Sequence, residues 1–175
     1  CGPWTEPIDT AYLPPDAITA APVAAHDAGH DAARLCSGDP SIYSAIAEQT
    51  RRLDAAGVPW DLTPGVPAYA ATAALIGREL TVPEVAQSVV LTRAQKDSTK
   101  MPPGETLAAF AATNATLVLH LAIRHTRRLA DELSAHYGAN CPVVVGSQVT
   151  QPEELILRGT LADIADQVEA AGLTQ

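Results

Sequence analysis

The stretch Arg34-Leu35-Cys36-Ser37-Gly38-Asp39-Pro40-Ser41-Ile42-Tyr43 decides how this chain is read. A short apolar run ends at Cys36, a polar glycine turn follows, and Pro40 stands where a helix can begin. In an open α/β sheet, ligands bind beyond the carboxyl ends of the strands, so such a turn is a candidate binding element. Gly38 lets backbone approach a ligand, and Asp39 can cap the helix or accept a hydrogen bond from a ribose or an amine. A plain capped strand-to-helix turn accounts for the same residues. Thr63-Pro64-Gly65-Val66-Pro67-Ala68 repeats the device after the next apolar run, with small residues that admit a flat ligand.

Around these turns, short β-rich runs alternate with longer alanine-rich stretches, the pattern of an α/β protein. Strands are predicted at Ala32–Cys36, Trp60–Thr63, Ser88–Thr92, Thr116–Leu121, Pro142–Gly146 and Glu154–Gly159. Helices are predicted over Ser41–Ala56, Ala68–Ile76, Thr106–Ala112, Arg124–Tyr137 and Leu161–Ala171. In the fourth of these, Leu129 and Leu133 lie one turn apart, while Arg127/Asp131 and Arg128/Glu132 are spaced for i,i+4 pairing on the exposed side. The polar segment Gln95–Gly104 marks a boundary. Residues 1–95 then form a partial N-terminal α/β domain, 96–104 a linker, and 105–175 an incomplete C-terminal domain that reads β-α-β-β-α.

Of the 175 residues, 47% are hydrophobic and 18% charged, enough apolar material for a core. Lys and Arg number 11 against 20 Asp and Glu, and the net charge of -9 argues against a nucleic-acid surface spread over the fold. No apolar run approaches the roughly 18–20 residues that cross a bilayer, so a soluble cytoplasmic protein with no membrane partner is expected. Cys1, Cys36 and Cys141 contain no C-x-x-C pair and read as reduced thiols. His26 and His30, flanked by Asp27 and Asp31, offer two ligands at most on one side, and no metal is expected. His120, inside an apolar run, reads as a core or pocket-lining histidine. The chain has no Gly-x-Ser-x-Gly elbow, P-loop, Gly-x-Gly-x-x-Gly or His-Glu-x-x-His, so hydrolase, nucleotide-triphosphatase, standard Rossmann and zinc-protease readings lose their usual support.

The two turns, together with Gly77-Arg78-Glu79-Leu80-Thr81, Val90-Leu91-Thr92-Arg93 and Arg158-Gly159-Thr160-Leu161, resemble the successive signatures of the tetrapyrrole methylase family, from about Asp9 to Gly172. The resemblance implies a fold of two α/β domains with a cleft between them. It also implies S-adenosylmethionine as methyl donor and a polycarboxylated tetrapyrrole as substrate. The Gly-Arg-Glu-Leu-Thr and Leu-Thr-Arg runs are most similar to members acting at ring carbon 11, with the metal-free and cobalt-bearing substrates both open and a sibling acting on another ring carbon as the alternative. By motif matching, cofactor contacts fall on Ser37, Gly38, Asp39 and Ile42 in the first turn, on Pro67 and Ala68 in the second, and on Leu121 and Val149. Family members often carry hydroxyl residues where Pro67 and Ala68 stand, so contacts there are expected through backbone.

A polyanionic substrate needs local guanidinium groups on an acidic protein. Arg78 and Arg93 are the candidates, with Lys96, Lys100 and Arg124 behind them, and ordinary surface charge is the competing reading. Asp39 is the one candidate for the catalytic base. The family also implies a homodimer. Its opening strand and Gly-x-Gly-Pro-Gly loop have no counterpart in Cys1–Leu13, and its closing strand is missing after Gln175. The chain therefore reads as truncated at both ends, with low stability or partial cofactor affinity expected and a non-catalytic binding fragment as the other reading.

Overall fold

A computed structural model describes residues 5–94 and 100–173. The chain divides into two compact units, Cys1–Pro67 and Ala68–Gln175. The division falls well before the predicted linker, because a parallel strand pair draws the chain on both sides of residues 96–104 into one unit.

The first unit holds α1 (Pro15–Asp27) and α2 (Ile46–Ala55). Helix α1 was not predicted from the sequence. Pro15 occupies its first turn, where a missing N–H costs nothing, and Thr19 donates its hydroxyl back to the Pro15 carbonyl at 2.7 Å. Because α1 ends at Asp27, with Gly29 left-handed just beyond it, His26 and His30 do not share a helical face. Helix α2 starts at Ile46, not Ser41: Tyr43 and Ala45 are both left-handed, at φ 54° and 56°, and interrupt the helical path. Its Arg52 pairs with Glu48 at 2.6 Å and with Asp16 of α1, holding the two helices together. The segments Ala32–Cys36 and Trp60–Thr63 are not strands among the described residues. A strand requires a ladder partner, and without one Leu35 stays 86% exposed.

The second unit runs α3 (Ala68–Ile76), β1 (Val89–Arg93), α4 (Leu107–Ala111), β2 (Thr116–His120), a 3₁₀ turn at Ile123–His125, α5 (Thr126–Tyr137), β3 (Pro142–Ser147), β4 (Leu155–Thr160) and α6 (Ile164–Ala170). Strands β1 and β2 are parallel, with Val89 opposite Thr116 and Arg93 opposite His120; β3 and β4 are antiparallel, with Val145 opposite Leu157. These four strands match the sequence reading to within a residue or two, since runs of Val, Leu and Ile suit a pleated, half-buried surface. The core gathers Ala111, Ala130, Leu133, Leu161 and Ile164, with Leu117, Leu119, Val143, Val145 and Leu157 packed around them. Arg127 does not take its expected partner Asp131. It reaches α6 instead, meeting Asp166 at 2.5 Å and Glu169 through two bonds of 2.8 Å, while Arg128 keeps Glu132 at 3.4 Å.

Candidate functional site

In the first unit, the two predicted turns meet. Asp39 Oδ1 accepts the Ser41 amide at 2.8 Å and the Ser41 hydroxyl, while Oδ2 accepts the Gly65 amide at 2.9 Å. These donors hold the Asp39 carboxyl below its ordinary pKa, the Ser41 hydroxyl contributing most. Asp39 therefore does not cap α2, whose N-cap is Ala45. Gly38 is left-handed at φ 72°, and its carbonyl lies where a Gly65 side chain would have to stand. Ser37 and Gly38 remain exposed, and Ile42 is half-buried, its amide donating to the Asp39 carbonyl at 3.2 Å. Pro67 closes the second turn.

In the second unit, Ala68 lies at the start of α3, Val149 beside the β3 glycine that α3 packs on, and Leu121 just past the end of β2. Ala68 opens α3 and its carbonyl accepts the Thr72 hydroxyl at 2.8 Å. Thr72 and Val149 both press on Gly146 of β3, where an added Cβ would lie 2.5 Å from Thr72 Oγ1 and 2.9 Å from Val149 Cγ2. Tyr69, one residue into α3, meets the His120 ring edge-to-face, with ring centres 6.1 Å apart. His120 ends β2, and burial pushes its imidazole below the ordinary pKa. Leu121 follows directly, left-handed at φ 54° and 58% exposed. Gln148 and Thr150 on either side of Val149 are left-handed too, at φ 47° and 70°. Strained non-glycine backbone at the carboxyl ends of β2 and β3 is what ligand-binding turns tend to show. Sequence reasoning named Leu121 and Val149 but passed over Tyr69, Thr72 and Gly146. The only available signal was Gly146 in a valine run, where a glycine marks close approach of another element.

The candidate cations among the described residues lie on different elements. Arg93 ends β1 as the cross-strand partner of His120, with its Nη1 3.3 Å from the Ala94 carbonyl. Arg78 is exposed just after α3, where its amide bonds the Ala73 carbonyl at 3.0 Å. Lys100 is exposed, Arg124 lies in the 3₁₀ turn, and Lys96 is outside the described residues. A groove of about 720 Å³ runs along Arg124, Arg127, Val168 and Glu169 and contains none of the predicted cofactor contacts. No described helix is long and apolar enough to cross a membrane.

The family model for Tetrapyrrole (Corrin/Porphyrin) Methylases matches residues 6–165. The chain belongs to that family of methyltransferases, as its sequence signatures implied. It is 53% identical over 175 residues to the precorrin-4 C(11)-methyltransferase of Rhodococcus erythropolis, covering 100% of this chain and 70% of that protein. It is 49% identical to the enzyme of the same name from a Sinorhizobium species, covering 96% of this chain and 66% of that protein. The X-ray structure of a cobalamin biosynthetic enzyme, cobalt precorrin-4 methyltransferase, superposes with a TM-score of 0.93 at 31% identity, over 99% of this chain and 73% of that one.

Proposed function

We propose that this chain carries out S-adenosylmethionine-dependent methylation of carbon 11 of precorrin-4, yielding precorrin-5 in cobalamin biosynthesis. The observation that carries the reading is the 53% identity to a precorrin-4 C(11)-methyltransferase along the full length of the chain. The metal-free substrate is preferred to its cobalt form because relatives named for the metal-free substrate reach 53% identity and those named for the cobalt form 38%.

The residues present fit such a donor. Ser37 and Gly38 are exposed, and Leu121 and Val149 offer apolar surface. In this reading, the cofactor contacts are those given by the sequence motifs, at Ser37, Gly38, Asp39, Ile42, Pro67, Ala68, Leu121 and Val149. When bound, S-adenosylmethionine supplies a methyl group already activated for displacement, so the protein's part is alignment and exclusion of water. Arg78 and Arg93 bind carboxylates of the macrocycle, with Lys100 and Arg124 further out. The working form is a cytoplasmic homodimer.

The test is incubation of the chain with precorrin-4 and a donor whose methyl carries carbon-13. Label at carbon 11 in the product's nuclear magnetic resonance spectrum is expected. Label on another ring carbon would make the protein a sibling methylase, and donor binding without any transfer would make this chain a binding fragment.

A further inference from the structure

The join between the two glycine turns is built from both sides. One carboxylate, that of Asp39, accepts hydrogen bonds from Ser41 in its own turn and from the Gly65 amide in the other, at 2.8 and 2.9 Å. Behind that bridge the backbones touch: a Cβ on Gly65 would collide with the Gly38 carbonyl oxygen and lie 3.4 Å from Asp39 Cα. The spacing of the turns therefore rests on acceptor oxygens at position 39 and on the absence of a side chain at position 65. A carboxylate already fed three N–H and O–H bonds is a poor proton acceptor, since protonation forfeits them.

Resting on the methyl-transfer reading above, we infer that Asp39 is a positioning residue and not the catalytic base. By fastening the Ser37–Gly38 backbone to the Gly65 turn, it makes cofactor affinity depend on a single join between the two turns.

The experiment is calorimetric titration with S-adenosylhomocysteine of the wild-type chain, Asp39→Ala, Asp39→Asn, Gly65→Ala and the double variant Asp39→Ala/Gly65→Ala, each checked for native helix content by circular dichroism. Both alanine variants are expected to weaken binding about tenfold or more, because small misplacements of a binding group are costly. The double variant should bind no worse than the weaker single one, since both break the same join. Asp39→Asn, which keeps one acceptor oxygen, should fall between wild type and Asp39→Ala. Wild-type affinity in Asp39→Ala and Asp39→Asn, with only turnover lost, is the result of a base and overturns the inference; fully additive losses overturn it as well. The join is also read without ligand. Hydrogen exchange at the Gly65 amide should accelerate in Asp39→Ala, and unchanged exchange sinks the proposal. A wild-type chain that binds no S-adenosylhomocysteine would instead defeat the methyl-transfer reading, with the Gly65 exchange still deciding the join.

Discussion

The phenol of Tyr137, at the end of α5, donates to the Ala115 carbonyl at 2.7 Å, just before β2 begins. This one bond ties the helix that covers the sheet to the strand whose carboxyl end carries His120 and Leu121. Tyr137→Phe keeps the ring and loses the bond, a change worth about 1 kcal/mol. The urea midpoint should fall with an unchanged slope. Burial pushes the Tyr137 phenol above its ordinary value of 10.0, the Cys141 thiol adding to the effect. The folded state thus keeps the proton longer than the unfolded chain. That contribution is complete below the unfolded pKa and is lost as pH rises through the folded one, so Tyr137→Phe should show a shallower alkaline loss of stability.

At the acid end, Glu48 is one of the carboxyls held below their ordinary pKa. Its hydrogen bonds to Arg51 and Arg52 hold the carboxyl at about 2, against 4.5 for a free side chain. A depressed pKa stabilises the fold above the unfolded value and is lost as pH falls toward the folded one. Thermal melts between pH 4.5 and 2 should therefore drop more steeply for the wild type than for Glu48→Gln. Parallel curves would show that the Arg51–Glu48–Arg52 cluster carries no acid sensitivity.

Ile164 is 1% exposed and sits where α6 meets Ala111, Ala130 and Leu133. Ile164→Ala should cost about 2–5 kcal/mol in transfer and cavity terms. Chemical denaturation followed by circular dichroism measures it; a loss under 1 kcal/mol, roughly the cost of a surface change, would mean that the cluster closes around the gap.

Gly146→Ala places a methyl group 2.5 Å from Thr72 Oγ1 and 2.9 Å from Val149 Cγ2. Overpacking of this kind costs about 1–3 kcal/mol. Adding Thr72→Ala should recover part of the loss, a coupling that a double-mutant cycle reads directly. Independent effects would place the strain elsewhere.

The strands and helices of the second unit were largely legible because their residues obey local rules. The valines at 143–145 and the Leu-Ile-Leu of 155–157 are strand material wherever they fall, and Leu129 with Leu133 at helical spacing can bury only one face. Helix α1 was not legible, since Pro22 inside it argues against a helix that its alanines and the Pro15 start nonetheless support. Asp39-Pro40 misled in the opposite sense. The pair is a sound helix start by composition, yet the carboxylate is taken by Ser41 and Gly65, and α2 begins six residues after Pro40. Which residue an exposed carboxylate reaches across 26 positions is a tertiary fact that no local pattern contains. The same holds for Arg127, whose partners lie on α6 and not one turn along its own helix.

Strands β3 and β4 are joined by the short turn 148–154, whereas β1 and β2 are parallel and separated by residues 94–115. Bringing the ends of the longer segment together costs more chain entropy, and parallel ladders cannot zip outward from a tight turn. The hairpin therefore closes first during refolding, and the parallel pair sets the pace. In synthesis on a ribosome the order of arrival is reversed. The slow pair emerges ahead of the fast one.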